Sequence, residues 1–175
     1  MRLSGSDLEA ESWAFALELY ARPGVAEACL KLQNKAGVDV MMCLVIAYAA
    51  VKHRILLTAA EISELDEACR PWREQIVRPL RTMRSGLKTG PRPAPNSETE
   101  QFRIKIKAVE LAAERLQNQL LVECLPLRPP EQDVIGPDEV RSVLRRVVTL
   151  FLEKRGDQPI ADLLSSIDKI ADAAT

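Results

Sequence analysis

A 175-residue chain with 47% hydrophobic and 28% charged residues has the balance of an ordinary globular domain. That balance excludes a mainly disordered chain, a collagen-like repeat and a disulfide scaffold. A net charge of −1 sets up no global field to recruit nucleic acid or an anionic membrane, and seven glycines with 4% aromatic residues argue against a β-sandwich or barrel.

The N-terminus has no apolar stretch of the signal-peptide kind and leads into Ser6-x-x-Glu9, a capping box in which hydroxyl and carboxylate satisfy backbone N–H groups reciprocally. Behind it Leu8, Phe15 and Leu19 share one helical face. Arg22-Pro23-Gly24 interrupts this helix, and a second carries Val25, Cys29, Leu30 and Leu32 as far as Gly37. Asp39 fits the N-cap of a third helix, with Val38 and Cys43 placed for a hydrophobic staple. From Val40 to Val51 the chain is apolar without interruption. Twelve residues make about 18 Å of helix against roughly 30 Å of hydrocarbon, so this is no membrane span. A helix apolar all round must sit inside the others. Lys52-His53-Arg54 closes it with positive charge at the negative end of the helix dipole.

Thr58-x-x-Glu61 opens a fourth helix bearing Glu61, Glu64, Asp66 and Glu67. Pro71 either starts a new helix or kinks this one, and Pro79 predicts a bend or an unpaired carbonyl. At about 100° per residue, Trp72, Ile76, Leu80, Met83 and Leu87 fall in an arc of roughly 80°. Arg70, Arg73, Arg81, Arg84 and Lys88 occupy the neighbouring arc. Residues 91–97 read as a Pro-rich linker, after which Ser97-x-x-Glu100 predicts the next cap. Phe102, Ile106, Val109, Ala113, Leu116 and Leu120 alternate in steps of four and three, predicting the inward seam of an antiparallel bundle helix. A second Pro-rich linker covers 126–137. Val140, Leu144, Val147 and Phe151 then mark the inward face of a helix ending at Arg155, and Ile160, Leu163, Leu164, Ile167 and Ile170 mark a terminal one. The expectation is an all-α bundle of six to seven helices around one buried apolar helix. Its core spans 1–90, the helix at 98–125 completes it, and a helical pair follows at 138–175.

Cys29, Cys43, Cys69 and Cys124 form no C-x-x-C pair, and one histidine, His53, leaves no zinc set. No Gly-rich phosphate loop occurs, so no metal, cofactor or catalytic group is assigned. Free thiols without an export signal point to a reducing, cytoplasmic compartment. Charge is segregated: net −4 over residues 1–69, +6 over 70–97 and −3 over 98–175. The basic ridge of Arg70, Arg73, Arg81, Arg84 and Lys88 beside Trp72 reads as a partner- or anion-binding surface; the plainer alternative is solvation or pairing with Glu61 to Glu67 and other carboxylates of the same chain. Asp39 reads as a helix cap, His53 as a helix-end residue, and Glu110 with Glu114 as a solvated acidic face.

Trp13 with Tyr20, Pro23-Gly24-Val25, Cys29-Leu30-x-Leu32-Gln33 and Gly37-x-Asp39-Val40 resemble a family of short proteobacterial proteins of unknown function. So do Trp72-Arg73, Pro79-Leu80-Arg81, Arg84 and Leu87-Lys88. The resemblance covers roughly residues 10–124 and departs at Met41, where asparagine is expected. It implies a bacterial cytoplasmic helical protein and draws attention to Gln33, Asp39 and the Arg73/Arg81/Arg84 ridge as one polar cluster.

The leading functional expectation is a non-enzymatic adaptor whose ridge, with Trp72 as aromatic anchor, docks an acidic protein surface. The second is an enzyme or carrier holding a phosphorylated or otherwise anionic small molecule inside the bundle, which requires Gln33, Asp39 and ridge arginines to converge on a pocket. Sequence-independent nucleic-acid binding by the ridge is third.

Overall fold

The computed structural model describes residues 5–130, 132–157 and 161–175. Regular structure within them is entirely helical: α1 (Gly5–Ala21), α2 (Val25–Ala36), α3 (Val40–His53), α4 (Ala59–Trp72), a π turn (Arg73–Val77), α5 (Arg78–Gly86), α6 (Ser97–Glu123), α7 (Pro137–Arg155) and α8 (Ala161–Ala174). Because α4, the π turn and α5 run on without a break, the described residues form seven helical rods. Ile160, expected on the last helix, lies outside the described residues. No helix among them is long and apolar enough to cross a membrane.

The centre is α3. Met42, Val45, Ile46, Ala47, Tyr48 and Ala50 have no exposed surface, and the helix packs against α1, α2, α6, α7 and α8. Asp39 starts it by accepting a hydrogen bond from the Met42 N–H. Arg54 ends it in the left-handed region at φ 56°. The C-terminal pair closes over this centre, α8 lying on α2 and α7, so that Val140, Leu144, Val147, Ile167 and Ile170 join one continuous core.

Three sequence expectations are corrected, and the question the two prolines left open is answered. Gly5 and Ser6 both lie within α1, so Ser6 is not its cap. The cap of α6 is Asn96, whose side chain accepts the Thr99 N–H while Thr99 accepts the Asn96 N–H. Asparagine is among the strongest caps, and Glu100 instead pairs with Arg103. Neither Pro71 nor Pro79 breaks its rod. Pro79 has no N–H to offer the Gln75 carbonyl and its ring crowds that carbonyl; the preceding turn opens to π spacing, with Arg78 N–H bonded to the Arg73 carbonyl. The expected seam of α6 is turned partly outward as well. Phe102, Val109 and Leu116 are more than half exposed, whereas Ile106, Glu110, Ala113, Gln117 and Leu121 face in. The helix is rotated by roughly 70° from its apolar seam, because the polar groups it buries find partners on the neighbouring helices.

This register is testable. Leu121→Ala, at a fully buried position, is expected to cost about 2–5 kcal/mol in urea unfolding, and Leu116→Ala under about 0.5 kcal/mol. Equal costs would put the seam back inside.

Candidate functional site

Five segments meet beside the N-terminus of α3. Gly37 ends α2 in the left-handed region at φ 66°, which an L side chain rarely adopts. A Cβ there would also stand 3.2 Å from Arg155 Nη1. This tight turn delivers Asp39 to the cap of α3, where its two oxygens divide their work. Oδ1 accepts the Met42 N–H at 3.1 Å, while Oδ2 accepts from Arg73 Nη1 at 3.1 Å and from the Gln117 amide.

The π turn places Arg73 inward, with only 5% of its surface exposed. Besides Asp39, its Nη1 donates to Asp66 at 2.6 Å and its Nε to Glu74 at 3.3 Å. The guanidinium lies 5.2 Å from the centre of the Phe151 ring, within cation–π range. Asp66 is fully buried and also takes a bond from Lys154. Burial pushes its carboxyl up, but Lys154 and Arg73 together hold it below the usual carboxylate range. Burial works against the Arg73 cation too, and Asp39 and Asp66 more than offset it. Cys69 lies in the same cluster, its thiol pushed up to about 12 by burial and then by Asp39. It is an inert packing group.

A second network joins α5 to α6. Arg81 donates to Gln33 at 2.6 Å, to Glu110 at 3.0 Å and to Glu114 at 2.6 Å, and Arg84 donates to Glu110. Glu110 is buried; burial raises its pKa, yet the two arginines bring it below normal. Glu114 goes the other way, raised by burial and by Glu110 against the pull of Arg81. The paired carboxylates read as a solvated acidic face are thus the internal counterions of the ridge.

Between the two networks opens a cleft of about 440 Å³. Six cationic side chains line it: Arg70, Arg73, Arg78, Arg81, Lys154 and Arg155. Three carboxylates do so, Asp39, Glu74 and Glu114, with Gln33 and Gln117 between. Most of the cations hold neighbours. Arg78 donates to Glu74 and to the Gly37 carbonyl, and Arg155 pairs with Asp157. Arg70 is exposed and has no ion-pair partner among the described residues.

Of the residues singled out from sequence, Gln33, Asp39, Arg70, Arg73 and Arg81 line this cleft. Arg84 lies beyond it on Glu110, and Lys88 is exposed near Glu100. Trp72 is no free anchor: it is half-buried, its indole N–H donating to the Ala113 carbonyl at 3.0 Å. Met41, at the point where the resemblance implies asparagine, is buried in the cleft wall. His53 lies elsewhere, bonded to the Tyr48 hydroxyl. Asp66 belongs to the 61–67 carboxylates expected as counterions of the ridge in the plainer reading; Gln117, Phe151 and Lys154 were missed. One available signal was Glu110, Gln117 and Leu121 at steps of seven and four, a polar-containing face next to the apolar seam.

Removing half of a buried ion pair leaves the other charge uncompensated, so Asp66→Asn is expected to cost about 3–5 kcal/mol at neutral pH. The folded-state pKa of Asp66 is lowered, so the wild-type advantage is full above the unfolded value of about 3.9 and disappears as pH falls through the lower folded value. Urea unfolding from pH 7 to pH 2 should therefore show the two proteins converging in acid; a constant gap would refute the pairing.

No curated protein and no solved structure matches the chain. One family model does, over residues 11–121. That span holds Asp39, Asp66, Arg73, Arg81, Glu110, Glu114 and Gln117, and leaves out the wall of the cleft built by Phe151, Lys154 and Arg155 on α7. With well over half its length matched, the chain belongs to the family described as Protein of unknown function (DUF2390).

Proposed function

We propose that this protein binds a small anionic ligand, a carboxylate or a phosphate, in the cleft between α2, the 59–86 rod, α6 and α7. One observation carries this reading: six cations converge on a cleft of about 440 Å³ that holds three carboxylates. The volume falls within the range of about 300–1,000 Å³ common to small-molecule sites. Arg73 is already held by Asp39, Asp66 and Phe151, so it loses little freedom when a ligand arrives. Arg70, exposed and without an ion-pair partner among the described residues, supplies an adjustable charge at the rim. The adaptor and nucleic-acid readings have less support, because Arg73 and Arg81 line a concave cleft and Trp72, the expected anchor, is half-buried with its indole N–H on the Ala113 carbonyl.

Inorganic phosphate, titrated calorimetrically into the full chain at low salt, should bind with one-to-one stoichiometry. Arg70→Glu and Arg155→Glu lie at solvent-exposed positions; each is expected to weaken binding about tenfold or more while leaving the melting temperature within a degree or so. Absence of binding, or binding indifferent to both reversals, would overturn the proposal.

A further inference from the structure

Resting on that reading, a second cavity specifies what else the ligand carries. On the far side of Arg81 lies a groove of about 430 Å³ whose apolar wall is Trp13, Leu17, Tyr20, Leu30, Leu44 and Leu111. Arg84, Lys107 and Glu110 give it one polar rim. The groove adjoins the cationic cleft, and Gln33, Val40, Met41, Arg81 and Glu114 line both. Arg81 stands at the joint, held by Gln33 on one side and Glu114 on the other. Leu17, Leu30 and Leu111 are 49%, 47% and 49% exposed. A single surface leucine needs no explanation. Three of them, from α1, α2 and α6, converging on a concavity that adjoins a cationic cleft, form the pattern of a binding groove.

We propose that the ligand is a single amphipathic molecule, with a carboxylate or phosphate head in the cationic cleft and an alkyl or acyl chain along the leucine groove, its junction passing Arg81. The occupant follows from the adjacency of the two cavities and from charge. The head needs cations, of which the cleft holds six against three carboxylates, and the chain needs apolar walls, which the groove supplies through Trp13, Leu17, Leu30, Leu44 and Leu111. Five lining residues are common to the two halves.

The test compares octyl phosphate, kept below its micelle-forming concentration, with inorganic phosphate, both titrated into the full chain. Because each buried methylene adds severalfold in affinity, octyl phosphate is expected to bind at least about a hundredfold tighter. Leu17→Gln and Leu111→Gln, with Leu30→Gln as a further variant should either fail to fold, are expected to remove most of that gain and leave phosphate binding unchanged. Equal affinity for the two probes, or an octyl phosphate affinity indifferent to the leucine variants, would overturn this inference and leave the anion site standing. Binding of neither probe would overturn both readings. Sedimentation with phosphatidic acid vesicles, without a saturable one-to-one octyl phosphate isotherm, would assign the groove to a membrane surface and overturn it as well.

Discussion

A guanidinium with 5% of its surface exposed must have its charge answered within the fold, and Arg73 sets that condition here. Its counterions come from the cap of α3 and from α4, and its aromatic cover comes from α7. Four segments therefore have to arrive together before the charge is tolerable. The helix cap at Asp39, the π turn under Pro79 and the Lys154 contact with Asp66 all serve the same requirement. Apolar residues at 39, 66 and 73 together would lift the requirement, whereas one at 73 alone would leave two buried carboxylates short of their counterion.

The orientation of α6 follows the same electrostatics. Its apolar seam would suit an ordinary bundle contact, yet the helix presents Glu110, Glu114 and Gln117 to the arginines of the rod and to Asp39. Unpaired burial of those arginines would cost more than leaving Phe102, Val109 and Leu116 in water. The rotation also leaves Leu111 exposed on the other flank, opposite Leu17 and Leu30. One choice of helix rotation thus creates the ion-paired wall, the cationic cleft and the apolar groove that meets it.

Patterns local in the chain are legible from the residues alone. Asp39 and Thr58 as caps, Gly37 as a helix end, and Val40–Val51 as a central helix depend on contacts within a few residues or on hydrophobicity alone. The convergence of Gln33, Asp39 and the arginines is legible only as a requirement of one hypothesis. The cap at Asn96 rather than Ser97 escapes a sequence reading because both positions satisfy the same spacing rule, with Thr99 and Glu100 as rival partners. The π turn shows only as a conflict at Pro79, since a proline states that a bond is lost and not how the backbone adapts.

Composition and periodicity by themselves determined the all-helical class, most helix ends and the identity of the buried central helix. The basic ridge was equally plain in the sequence. Its meaning was not, because a charge is satisfied by any opposite charge, and Arg73 lies 34 residues from Asp39 while Arg81 lies 33 from Glu114. Which carboxylates reach those arginines depends on how far each helix turns about its own axis, and that angle is set by the packing of all the helices at once. Tertiary structure alone decided that Arg73, Arg81 and Arg84 turn toward carboxylates of other helices, that Asp66 and Lys154 complete the network, and that a cleft remains beside it.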